Sequence, residues 1–254
     1  MPPVTDETSF NVDQVETTVE LLDYQDGETT LQAAVVYPSS TKPAPAVLVA
    51  HAWSGRGEDE HHAAQRLAEL GYVGIAIDVF GKGVVGDPAG DNTHLISPWL
   101  TDRAALLARL KASVSFARQL ERVDPKSLAA IGYCFGGVCV LDLARGGVDH
   151  LAGVVSLHGL LDGNGLAAGG PIGTKILVEH GWLDPLAPPE KVLAFGEEMT
   201  ARHADWQLHA HGRAMHAFTN AGANAPDRGM VHEPDADRRS WASTVAFLAE
   251  VLGR

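Results

Sequence analysis

Gly132-Tyr133-Cys134-Phe135-Gly136-Gly137 sets a cysteine among glycines. It follows a short apolar run, Leu128 to Ile131, that has the character of a buried strand, and it precedes Val138 to Ala144, which has the character of a helix. A thiol at such a turn is placed to be a nucleophile, because Gly-x-Cys-x-Gly between strand and helix is the nucleophile-elbow pattern with sulfur in place of the serine oxygen. The glycines carry no Cβ, so the chain can turn sharply and neighbouring elements can come close. The positive end of the following helix favours the thiolate form of a cysteine placed there. The same residues also describe a glycine-rich turn with a buried cysteine. Residues further along the chain separate the two.

An attacking thiol needs a base, and the base needs an acid to orient it. In an open α/β sheet such groups gather beyond the carboxyl ends of the strands. The expected strand Lys175 to His180 is followed by Gly181-Trp182-Leu183-Asp184-Pro185, and the expected strand Trp206 to Ala210 by a loop holding His216. The chain order is therefore Cys134, Asp184, His216, the order of nucleophile, acid and histidine in α/β-hydrolases. His216 would take the thiol proton and return it to a leaving alcohol. Asp184 would fix the imidazole tautomer and stabilise the imidazolium. The oxyanion needs backbone N–H donors, expected from Phe135 and from the loop near Trp53.

Other side chains that could do chemistry have plainer readings. Asp78 and His158 also end strands, but neither stands after the strand that the hydrolase order requires, so both are expected to be structural. His61 and His62 are adjacent on a helix and cannot chelate from one face. His209 and His211 lie two apart on a strand with no carboxylate at an obvious spacing, so no metal site is expected. Cys139 is expected to be a buried packing cysteine.

The elements that must position these groups alternate along the chain. Residues 1–14 are expected to form a loose tail, and 15–254 a single domain. Val15 to Leu22 and Thr29 to Tyr37 flank Asp26-Gly27, a hairpin signal. Ala46 to Ala50 and Tyr72 to Ile77 are apolar strands separated by a helix from Asp59 to Leu70. Gly81 to Pro98 is rich in glycine and turn residues and is expected to be a surface excursion, and a helix from Asp102 to Leu120 leads to the elbow. Gly153 to Leu157 is a further strand, and helices are expected over Pro189 to Arg202 and Asp235 to Leu252. Strands alternating with helices after a hairpin predict an α/β fold with a mostly parallel central sheet and helices on both faces.

Bulk composition narrows the function classes. A chain of 254 residues with 45% hydrophobic side chains can bury a core without staples. The formal net charge of -13 argues against nucleic acid as a partner. Two cysteines five apart on one element make neither a disulfide framework nor a zinc site, and a free thiol suits the cytoplasm. The N-terminal residues lack the apolar core of a signal peptide, and no apolar run approaches a membrane span.

Taken together, these residues resemble the dienelactone hydrolase family of α/β-hydrolases. The resemblance rests on Gly132 to Gly137, on Leu67 to Tyr72 with Asp78 to Gly83, on Gly181 to Pro185, and on His216-Ala217-Phe218. It implies hydrolysis of an ester or lactone through a thioester on Cys134, with a small-molecule substrate and no metal or organic cofactor. Two departures bear on substrate. Where well-known members carry an activating glutamate, this chain has Ala52, which leaves activation to His216 or to another carboxylate such as Glu179. Where they carry a carboxylate-binding arginine, it has Asn220, and Arg103 and Arg109 upstream are expected on helix surfaces. A thioesterase or acyltransferase, and a catalytically silent binding protein on the same fold, remain alternatives.

Overall fold

Asp26-Gly27 turns the chain as its composition predicts. Gly27 takes φ +58°, and β1 (Val19–Asp26) pairs antiparallel with β2 (Thr29–Val36) from Val19 opposite Val36 to Asp26 opposite Thr29. The structure, a computed structural model, describes residues 19–87, 90–165 and 169–253. The expected tail of residues 1–14 lies outside them, as does the start of the first expected strand. After the hairpin come β3 (Ala44–Ala50), α1 (Glu58–Glu69), β4 (Val73–Ala76), α2 (Thr93–Thr101), α3 (Arg103–Gln119), β5 (Val123–Tyr133) and α4 (Phe135–Arg145). β6 (Leu151–Leu157), β7 (Lys175–Gly181), α5 (Pro189–Ala201), β8 (Trp206–His211), a small pair β9 (Asn224–Ala225) and β10 (Met230–Val231), and α6 (Pro234–Leu252) complete the order.

Eight strands form one sheet in the order β1-β2-β4-β3-β5-β6-β7-β8. The hairpin joins antiparallel to β4, and every junction from β4 to β8 is parallel. This is the expected mostly parallel α/β sheet. Side chains alternate across it, as the two-residue period of a strand requires. On β3, Ala46, Leu48 and Ala50 face a core with Leu106 and Leu110 of α3, Val138, Leu141 and Ala144 of α4, and Phe195 of α5. Val47 and Val49 face the opposite layer, with Ala63 and Leu67 of α1 and Leu248 and Leu252 of α6. Burial on both faces explains why these strands are continuous apolar runs.

The topology creates the crevice. From β3 the chain leaves over one face into α1, and from the adjacent β5 it leaves over the other face into α4. The two loops diverge at neighbouring strand ends, the kind of switch point where open α/β sheets bind ligands. One expectation needs correction. The stretch 81–98 is not all loop, because α2 begins at Thr93 and contains Pro98. Pro98 and the preceding glycines mask the helical pattern, since proline gives up a helix hydrogen bond. None of α2 is fully buried, though Ile96, Trp99 and Leu100 pack on the core edge. Among the described residues, no helix is long and apolar enough to cross a membrane.

Candidate active site

Cys134 stands between β5 and α4 with φ 55° and ψ -112°, a conformation a residue with a Cβ rarely adopts. Strain of this kind costs about 1–3 kcal/mol and persists only where the surroundings enforce it. Here the Cys134 N–H donates to Leu157 O at 3.0 Å, and the Cys134 carbonyl accepts from Gly137 N–H at 3.0 Å. Steric contact does the rest. A Cβ on Gly132 would lie 2.1 Å from Gly136 O, and one on Gly136 would lie 2.1 Å from Ala50 O. The elbow glycines thus serve close approach: strand, turn and helix touch backbone to backbone, and the first turn of α4 rests against the end of β3.

Asp184 and His216 reach the same rim from β7 and β8. His216 Nε2 lies 3.2 Å from Cys134 Sγ, and His216 Nδ1 lies 2.7 Å from Asp184 Oδ2. Both Asp184 and His216 are buried, while the thiol is half-buried. The second Asp184 oxygen accepts the Leu186 N–H at 2.8 Å, which holds the carboxylate in one orientation. His216 is held through its own backbone: its N–H donates to Gly229 O at 2.9 Å, and its carbonyl accepts from Val231 N–H at 3.2 Å. Burial pulls the His216 imidazole down, but the adjacent Cys134 sulfur charge and Asp184 outweigh it and push the ring up to about 10. An imidazolium donating to sulfur on one side and to a carboxylate on the other is what that balance favours.

The loop after β3 forms the facing wall. Glu60, at the N-terminus of α1, turns back into it: Oε1 accepts the Ala52 N–H at 3.2 Å and Oε2 the Gly57 N–H at 2.8 Å. Trp53 is half-buried there, and the Arg228 guanidinium stands 5.6 Å from its ring centroid. Phe135, the other expected donor of an N–H, opens α4 and is buried.

The remaining sequence candidates sort themselves by their partners. Asp78 caps its own turn, accepting from Phe80 and Gly81 N–H with one oxygen and from Gln32 N–H with the other. Cys139 is buried in the core, where burial pushes its thiol well up. His158 is closer to the chemistry than its strand-end position suggests. Its ring packs edge-on against His216 with centroids 5.3 Å apart, and Nε2 lies 2.8 Å from Thr219 Oγ1. His209 and His211 do have a carboxylate partner: both bond Glu179, at 2.9 and 2.7 Å, and Ser243 bonds it too. That partner comes from the neighbouring strand, so no spacing along the chain reveals it. Glu179, committed to those three groups, is not a substitute activator of Cys134.

Arg103 and Arg109 are not surface residues. Arg103 makes two 2.7 Å bonds to the fully buried Asp142, and Arg109 bonds Asp26 and the Val79 carbonyl. Asn220 spends its side-chain oxygen on Gly222 N–H at 2.8 Å.

A parallel sheet with its order reversing at β3/β5, and a thiol, imidazole and carboxylate aligned at that rim, define an α/β-hydrolase. Residues 31–252 match the model of the dienelactone hydrolase family, and the chain belongs to that family. Among solved structures, the protein m3DLH superposes with a TM-score of 0.87 at 32% identity, covering 93% of this chain and 99% of the other. A dienelactone hydrolase-like promiscuous phosphotriesterase from metagenomic libraries gives 0.86 at 32% identity over 92% and 98%. An uncharacterized Caenorhabditis elegans protein is 37% identical over 58% of this chain and 94% of its own length. A Bradyrhizobium protein named as a probable 2-oxo-3-(5-oxofuran-2-ylidene)propanoate lactonase is 25% identical over 87% and 90%.

Proposed function

We propose that this protein hydrolyses a small carboxylic ester or lactone through an acyl-enzyme on Cys134. The observation that carries the reading is the unbroken row from Sγ through the His216 ring to Asp184, at 3.2 and 2.7 Å. The thiolate attacks the acyl carbon, and the carbonyl electrons move onto oxygen. Backbone N–H groups of Phe135 and Trp53 stabilise that oxyanion. Collapse expels the alcohol, or opens the lactone ring, and the departing oxygen takes the proton from the His216 imidazolium. Neutral His216 then takes a proton from water, the hydroxide attacks the thioester, and the thiolate leaves to restore the starting pair. Asp184 accepts the Nδ1–H bond throughout and keeps Nε2 aimed at sulfur.

With Ala52 in place of the family glutamate and Glu179 committed to its histidines, activation of the thiol rests on His216 alone. The intact row supports the enzyme over a silent binding protein. The phosphotriesterase relative supports a second electrophile class, and turnover of a phosphotriester beside an ester tests it. A nucleophilic thiol that must stay reduced suits the cytoplasm.

The experiment is Cys134→Ala against a panel of p-nitrophenyl esters and small lactones, with intact-protein mass spectrometry of the wild type after a brief substrate pulse. Turnover disappears, the thermal transition stays, and the wild type alone gains an acyl mass. Undiminished turnover after Cys134 is removed or alkylated rejects the proposal.

A further inference from the structure

His51 follows β3 directly, is fully buried, and has no part in the row of Cys134, His216 and Asp184. Its hydrogen bonds fix its tautomer. Val79 N–H donates to His51 Nε2 at 3.2 Å, so Nε2 presents its lone pair and the proton sits on Nδ1. Nδ1 lies 2.7 Å from the Ala52 carbonyl oxygen and donates to it. A ring with one donor and one acceptor is a neutral ring, and burial pushes the His51 imidazole below its usual value. Two aromatic rings hold it in place: Phe80 edge-on at 4.5 Å, and Phe135 at 6.0 Å.

The Ala52 carbonyl and the Trp53 N–H are opposite ends of one peptide unit. A peptide is planar, and no described bond in this chain is cis, so the two groups point in opposite directions. Whatever grips the carbonyl therefore aims the N–H. The preceding peptide is held as well, because Glu60 accepts the Ala52 N–H at 3.2 Å. Gly55 N–H shares the Ala52 carbonyl at 3.3 Å.

We propose that His51 is a positioning residue for the oxyanion hole: its Nδ1–H grips the Ala52 carbonyl and so aims the Trp53 N–H at the acyl oxygen of a substrate on Cys134. This inference rests on the hydrolase reading above and names the device that makes one of its two donors rigid. His51 touches neither substrate nor the reacting atoms. A donor aimed in advance acts where charge develops, which is where preorganised N–H groups contribute most.

The test uses two variants and two substrates. In His51→Asn the side-chain amide nitrogen replaces Nδ1 at the same reach, and in His51→Gln the amide reaches the Nε2 position and leaves the Ala52 carbonyl with only the longer bond from Gly55 N–H. The substrates are a p-nitrophenyl ester and its thionoester, whose C=S sulfur is a weak acceptor and gains little from N–H donors. The wild type prefers the ester. In His51→Gln, kcat for the ester falls about 10- to 100-fold, short of deleting a donor outright. KM and the rate of Cys134 alkylation by iodoacetamide stay near wild type, and the preference for ester over thionoester shrinks. His51→Asn keeps both rate and preference.

A merely structural histidine would lower turnover of both substrates together and leave their ratio alone. An unchanged ratio in His51→Gln, or a lost ratio in His51→Asn, overturns the proposal. If His51→Gln does not fold, His51→Ala, which also lacks a donor to the Ala52 carbonyl, decides by the same ratio: a shrunken preference for the ester supports the proposal and an unchanged one overturns it. Survival of ester turnover in Cys134→Ala would instead defeat the underlying hydrolase reading, and the two failures are distinguishable.

Discussion

Gly136→Ala is the sharpest test of how the site is held together. A Cβ at residue 136 falls 2.1 Å from Ala50 O, 2.6 Å from Ala50 C and 2.9 Å from His51 O, all of them backbone atoms that cannot rotate away. Ordinary contact begins at 3.4 Å. Relieving the worst overlap therefore needs about 1.3 Å of separation between the first turn of α4 and the end of β3, and misplacement on the order of 1 Å can cost about 100-fold in rate. The displaced backbone carries Cys134 and Phe135 on one side and leads to Trp53 on the other, so the proposed nucleophile and the proposed oxyanion donors part together. Overpacking of this size costs about 1–3 kcal/mol in stability. The assay is kcat and KM on a p-nitrophenyl ester, with a thermal melt on the same sample. The expected result is a folded protein with a lowered melting temperature, kcat reduced by about two orders of magnitude, and a smaller change in KM. A variant that melts like the wild type and turns over like it would refute the claim that backbone contact at Gly136 sets the geometry of the site.

The pH profile offers an independent check. His216 is pushed up to about 10, so its imidazolium, and the stability it confers, is fully present below the ordinary value of 6.5 and lost as pH rises through about 10. The alkaline limb of kcat/KM should accordingly lie near 10, and a limb near 6.5 would contradict the pairing with Cys134 and Asp184. Arg103→Met leaves Asp142, which is fully buried, without its two-bond partner. Chemical denaturation should show a loss of about 3 kcal/mol, the lower end of the range for breaking a buried pair, since Arg145 Nη1 still stands 3.7 Å from the carboxylate. The rate per folded molecule should not change.

The sequence alone carried the class of fold, and it singled out Cys134, Asp184 and His216, which the structure brings into one hydrogen-bonded row. The reason is local. An elbow needs glycines where backbone meets backbone, so Gly132 and Gly136 are visible as residue types. Doubly covered strands need apolar side chains on both faces, so β3 and most of β6 stand out as runs. Asp184 and His216 come after β7 and β8 in a fixed order, and order is a property of the chain. The tertiary structure decided what depends on contact between distant segments. Glu179 meets His209 and His211 only because β7 and β8 are neighbours in the sheet. Arg103 is mostly covered because it reaches Asp142 of α4, although its place in the sequence looks like a helix surface. His51 lies just past β3, and only the Val79 N–H, 28 positions away, fixes which of its nitrogens carries the proton. Local propensity and pattern are written residue by residue, whereas pairings across the fold exist only once the sheet has set which strands are neighbours.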